Sequence, residues 1–317
     1  MSRKKNLRAR KVGSFALVIM MLCILLSSCG TPKLPENLDK VKKETVNVIL
    51  EATPVIESGS TGGEFALKGL VDSGVKVDDN IGKDYYTSLC RKLKKSNGVL
   101  SEDMYTEYAR AAIGVMAIGK NPEDVEGYNL IAPLDEYKIL QDQGVHAEAH
   151  AVIAARMAGV KLKSEGLYIE DMVKDIEGTG HKKNAFESDY IAIDLEGLSM
   201  IPKKERSKAV NDAIEKGISY LSKCQKEDGS LGNSDSTSVA IIALTQLDVD
   251  IFKDERFIKN GKTLADGQIK YYLKNGGFKY TDEQKKINGM STESGLLALD
   301  AMSYQQAGKR LYENKNK

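Results

Sequence analysis

The chain has 317 residues, with 46 Lys and Arg against 45 Asp and Glu and a formal charge of +1 at neutral pH. A balance this even supplies no basic surface for nucleic acid. Trp is absent and only six Phe occur, which disfavours stacked aromatic platforms for sugars, and four Cys are too few for a disulfide framework.

The chain opens with "MSRKKNLRARK", which carries Arg3, Lys4, Lys5, Arg8, Arg10 and Lys11 and no acid, followed by the apolar run "FALVIMMLCILL". A basic start before so short an apolar core reads as an export signal and not as a membrane span. It ends in Leu26-Ser27-Ser28-Cys29, which resembles the lipobox of bacterial lipoproteins. That resemblance implies cleavage before Cys29 and acylation of its thiol, palmitate being a typical chain. An ordinary secretory signal with an incidental Cys is the alternative. Acyl chains bury about 0.8 kcal/mol per methylene, so several chains on one residue give lasting attachment. The expected organisation is a signal peptide over 1–28, the acylated Cys and a tether over 29–36, and one helical domain over 37–317. The expected location is the extracytoplasmic face of a bacterial cell membrane. Removing the six basic residues of the signal from the 46 leaves 40 against 45 acids, a mildly acidic mature chain. Cys23 leaves with the signal, and Cys90 and Cys224 are expected to be free buried thiols, a bridge between them being the alternative.

After "GTPKLPENLDK", a polar tether with two prolines, one pattern recurs along the chain. Small-residue-rich helices that are apolar nearly all round are predicted at 62–74, 105–119, 144–159, 188–201, 235–247 and 290–302. Between them lie amphipathic helices, predicted at about 37–51, 81–95, 130–142, 165–177, 205–226 and 262–274. Within 205–226, Ile214, Ile218 and Leu221 form an apolar stripe, with Lys216, Ser219 and Lys223 off it. An amphipathic helix can face solvent, whereas a helix apolar all round must be enclosed. Strict alternation of six such pairs predicts an all-α fold, an (α/α)6 toroid of six inner and six outer helices. A linear helical solenoid is the competing architecture, and it does not require every second helix to be uniformly apolar.

The stretch "KGISYLSKCQKEDGSL" resembles the QW repeat of squalene–hopene cyclases and protein prenyltransferase β subunits. Lys216-Gly217, Tyr220-Leu221, Gln225 and Gly229 fall at that repeat's spacing, with Leu231 at the place of its Trp. "YYLKNGGFKY" (271–280) reads as a degraded second copy with Gly276-Gly277-Phe278 as its turn. Over most of 60–310 the chain is similar to exported bacterial lipoproteins carrying this prenyltransferase/squalene-cyclase repeat domain. It is distantly similar to the α domain of transcobalamin and intrinsic factor. The second likeness implies cobalamin as a candidate ligand, although the transcobalamin arrangement also uses a small β domain.

Squalene–hopene cyclases use a D-x-D-D acid, and the nearest strings, "VDDN" (77–80) and "SDST" (234–237), do not match it. Prenyltransferases hold zinc with Asp, Cys and His from inner helices, whereas Cys90 and Cys224 fall on outer ones and lack the D-x-C spacing. His146 and His150 in "HAEAH" are i and i+4, so both face one way and can share one ion if another helix supplies a third ligand. An acid opens each apolar helix: Glu64, Glu107, Glu148, Asp189, Asp235 and Glu293. Near a helix N-terminus a carboxylate gains about 0.3–1 kcal/mol from the dipole. In a toroid the same acids would make one acidic rim, with Tyr105, Tyr190, Thr237 and Thr292 beside them.

The sequence therefore predicts a non-catalytic surface lipoprotein whose toroid binds a small molecule, peptide or envelope partner. The ligand candidates are Tyr105, Glu107, His146, His150, Asp189, Asp235, Thr237, Thr292 and Glu293, with a metal ion or cobalamin as the cofactors to test for. The alternatives are a glycan-active (α/α)6 hydrolase or lyase using two rim acids, or a structural adaptor with no cavity ligand.

Overall fold

Two kinds of helix alternate along the chain, and burial separates them. Ser234–Gln246, in which Ala, Ser and β-branched residues surround the axis, buries eleven of its thirteen residues. Lys208–Cys224 buries only six of seventeen, Val210, Ala213, Ile214, Gly217, Ile218 and Leu221, along one stripe at helical spacing. The computed structural model describes residues 37–59, 63–76, 81–178 and 186–313, all within one compact unit, Leu34–Lys317. The signal, Cys29 and the tether lie outside the described residues.

Among the described residues there are twelve α-helices and no strand. They are α1 (Leu38–Ala52), α2 (Glu64–Asp72), α3 (Ile81–Lys95), α4 (Thr106–Ala117), α5 (Tyr137–Gln143) and α6 (Val145–Met157). The second half holds α7 (Glu165–Glu177), α8 (Glu187–Ser199), α9 (Lys208–Cys224), α10 (Ser234–Gln246), α11 (Leu264–Ile269) and α12 (Gly289–Gln306). The expectation of an all-helical fold holds. The six largely buried helices are the even-numbered ones. They pack in the order α2 on α4, α4 on α6, α6 on α8, α8 on α10, α10 on α12, and α12 back on α2. Of the odd-numbered helices, α1 packs on α12, α5 on α6, α7 on α6 and α8, α9 on α7 and α8, and α11 on α10.

Two amphipathic helices are shorter than expected. Pro133 stands in a 3-10 turn, Ala132–Asp135, so the 130–142 segment becomes that turn followed by α5. In the 262–274 segment α11 stops at Ile269, because Tyr272 bridges to Phe278 around the next turn.

That turn occurs three times. Gly98, Gly229 and Gly276 all have positive φ, at 92°, 87° and 99°. Two residues later a buried apolar side chain, Leu100, Leu231 or Phe278, enters the core. Its backbone N–H donates to a hydroxyl on the following helix: Tyr108 in α4, Thr237 in α10 and Thr292 in α12, each at 3.0 Å. A Cβ on Gly229 would lie 2.2 Å from the carbonyl oxygen of Thr263, so glycine is required there. Gln225 braces the same turn, its Nε2 donating to Gly229 O at 3.1 Å and Phe257 O at 3.0 Å.

The two ends of the described chain hold one another. Asp300 of α12, fully buried, pairs with Lys42 of α1 at 2.7 Å and accepts from the Ser73 hydroxyl, just beyond α2, at 2.9 Å. Past α12 the chain turns back over the helix ends. Tyr312 N donates to Gln246 Oε1 at 3.1 Å, Gln246 Nε2 returns a bond to Tyr312 O at 3.2 Å, and Lys68 Nζ lies 5.5 Å from the Tyr312 ring centre.

Candidate functional site: the cavity among the buried helices

A cavity of about 250 Å³ is walled by five of the six largely buried helices. Three of them contribute residues three or four apart, as one face of a helix must. These are Asp235, Val239 and Ile242 from α10, Met290, Glu293, Ser294 and Leu297 from α12, and Ile193 and Glu196 from α8. Phe65 comes from α2, His150 from α6, and Tyr312 from the returning C-terminal segment. The sixth helix, α4, stands one layer behind, where Arg110 lies 5.9 Å from the Phe65 ring and pairs with Glu64 at 3.2 Å.

The cavity is polar at its ends and apolar between. Met290, 64% exposed, marks its opening. Nearby, the Ser294 hydroxyl donates to Asp235 at 3.1 Å and the Ser188 hydroxyl donates to Asp189 at 3.1 Å. Burial raises both aspartates above the ordinary carboxyl range, against the hydrogen bonds from serines that lower them. Ile193, Val239, Ile242 and Leu297 form the wall below.

Glu196 follows Asp189 on α8 by seven residues, so it lies about 10 Å deeper along that helix. It is 3% exposed, and its Oε1 is sealed from solvent with no hydrogen-bond partner among the described residues. Burial alone pushes its carboxyl well above the usual range. Tyr312, 5% exposed, closes the same end, and burial first, then the neighbouring Glu196, raises its hydroxyl well above the usual range.

His150 lines the wall in a defined tautomer. Its Nδ1 donates to the His146 carbonyl at 2.7 Å, which leaves Nε2 as an acceptor. Burial lowers its pKa to about 4, so the ring is neutral at pH 7. The His146 ring instead stacks on Tyr190 at 5.5 Å and 23°. Among the described residues no group of three or more His, Cys, Asp or Glu side chains is placed to hold a metal ion.

Of the expected ligand residues, the structure brings His150, Asp235 and Glu293 to the cavity, with Asp189 and His146 close to them. The rest do other work. Glu107 turns outward to Lys92 of α3 at 3.0 Å, and Tyr105 packs edge-on against Tyr108. Thr237 and Thr292 are buried and spend their hydroxyls on the recurring turn, donating to Asn233 O at 2.6 Å and Asn288 O at 2.7 Å. Two further acids from the expected rim are also absent from it. Glu64 is 1% exposed and accepts from Gly59 N at 2.9 Å and Ser58 Oγ at 3.1 Å. Glu148 is fully buried on the side of α6 that meets α7, near Asp171 and Lys174.

Sequence reasoning did not single out Glu196, Tyr312 or Arg110. The signal for Glu196 was present: Asp189, Ile193 and Glu196 are i, i+4 and i+7 in an otherwise apolar helix. No local pattern announces Tyr312. Cys90 and Cys224 are free, the first buried and the second partly so.

A second depression, of about 530 Å³, lies at the other ends of α4 and α6, where Met116, Lys120, Met157 and Glu313 line it. Among the described residues no helix is long and apolar enough to cross a membrane. Compared with known proteins, the sequence matches no protein-family model, and no curated protein matches it.

Proposed function

We propose that this is a lipid-anchored bacterial surface protein whose helices form an (α/α)6 toroid and whose central cavity binds a small organic molecule without transforming it. The packing order of the even-numbered helices, which returns from α12 to α2, supports the toroid. The thrice-repeated glycine turn supports the likeness to the prenyltransferase/squalene-cyclase repeat. Attachment through Cys29 rests on the lipobox and the basic segment before it.

The observation that carries the binding reading is the cavity itself, concave, largely apolar and provided with a few convergent polar groups. Its volume falls just below the roughly 300–1,000 Å³ usual for drug-sized ligands, which favours a compact molecule over an extended glycan. The deep carboxyl and the acids at the opening sit at opposite ends of an apolar wall, an arrangement suited to gripping two ends of a ligand.

Native mass spectrometry of the full chain, purified gently from its membrane, tests this. The expected spectrum shows a non-covalent small-molecule adduct that heating removes and that Val239→Phe, which projects a ring into the cavity, abolishes. An adduct of equal abundance on folded Val239→Phe protein would place the ligand elsewhere and refute the reading.

A further inference from the structure

Among the described residues the cavity lining offers acceptors and no Lys or Arg. Arg110 and Lys68, the two basic groups behind its walls, are paired with Glu64 and Asp72. His150, its Nδ1 held by the His146 carbonyl, keeps Nε2 as an acceptor, and Asp235 and Glu293 stand near the opening. Glu196 lines the far end, and among the described residues its buried Oε1 has no hydrogen-bond partner. A buried polar group without a partner is costly, and here the protein has left the cost standing at the end of an apolar shaft. The group that would relieve it carries N–H donors and positive charge, with hydrocarbon beside it to cover Ile193, Val239 and Leu297. Acids at the opening would draw such a cation inward.

We propose that the cavity selects organic ammonium ions, primary amines with a compact apolar body, and that Glu196 pairs with the ammonium nitrogen at the deep end. This rests on the reading of the cavity as the ligand site. A charge-assisted bond from nitrogen to carboxylate is about twice as strong as a neutral one, and the apolar wall supplies the remaining affinity.

Hexylamine, hexanol and hexanoate share one chain length and differ only in the head group, so titrating each into the full chain tests the proposal. The readouts are the ligand-induced rise in melting temperature and chemical-shift changes of the Ile and Val methyls. Hexylamine is expected to bind at least about tenfold more tightly than hexanol, with hexanoate weakest. Glu196→Gln should cost hexylamine about tenfold and leave hexanol nearly unchanged. The comparison among the three probes on the unaltered protein needs no variant, so it decides the matter even if Glu196→Gln folds poorly. If hexanol or hexanoate binds as well as hexylamine, and Val239→Phe blocks all three, the cavity is a ligand site but ammonium selection is overturned. If no probe binds, or Val239→Phe changes nothing, both the selection and the cavity reading fall.

Discussion

Replacing Glu148 with Gln should remove most of one component of the protein's pH-dependent stability. Glu148 is fully buried between α6 and α7, and neither carboxylate oxygen has a hydrogen-bond partner. Burial and the nearby Asp171 charge push its pKa from 4.5 up to about 8, with Lys174 opposing. Between those two values the folded chain holds a proton that the unfolded chain has lost, so stability falls as pH rises. From pH 5 to pH 7 this one carboxyl should withdraw about 2–3 kcal/mol from folding. Gln cannot ionise. Its amide still costs something in a site with few partners, but that cost does not change with pH. Urea unfolding followed by far-UV circular dichroism at pH 5, 6, 7 and 8 would give the difference between Glu148→Gln and the unaltered protein. The difference should move steadily in the variant's favour as pH rises. Asp300, which burial raises to about 6, contributes to both proteins alike and cancels. Parallel curves for the two proteins would show that Glu148 is solvated and that its assigned burial is wrong.

Asp300→Ala should destabilise the fold by about 3–5 kcal/mol, because it strands Lys42, only 16% exposed, and removes the acceptor of Ser73. Chemical denaturation measures this, and a loss under 1 kcal/mol would mean that the pair between α1 and α12 is dispensable. Cys29→Ser should abolish incorporation of a fatty-acid probe during growth, and label persisting on the variant would rule out acylation at that residue.

Much of the fold was legible because burial leaves a signature in composition. A helix such as α10, surrounded by Ala, Ser, Ile and Leu, cannot face water on any side, and its neighbour α9 carries a visible stripe. The all-helical class and the alternation of buried with half-buried helices were readable from that composition. The shortening of α11 was not, since it depends on Tyr272 meeting Phe278 across a turn. At the site, residue types were readable but directions were not. Asp235 is the second residue of α10 and Glu148 the fourth of α6, and two positions on a helix amount to about 200° of rotation. That phase difference sends one acid to the cavity and the other to the outer layer. The role of the threonines was illegible for a different reason. Their hydroxyls serve backbone N–H groups six and fourteen residues earlier, a claim invisible until the turn is folded. Tyr312 became part of the cavity only through Gln246, sixty-six residues before it.

The contacts joining α1 and α2 to α12 set how this chain must be made. Lys42 meets Asp300, Tyr272 donates to Glu44, and α2 packs on α12, so partners that depend on each other are separated by nearly the whole domain. During synthesis α2 emerges early, yet one of its two buried neighbours arrives only with the final helix. Until then, an Ala- and Leu-rich surface that the finished protein never shows to water stands open, and the same holds for the flank of α10. Closure of such distant contacts is slow compared with helix formation, and exposed apolar faces invite association between chains. A ribosome that stalled before Gly289 would therefore release an adhesive fragment in place of a smaller working domain.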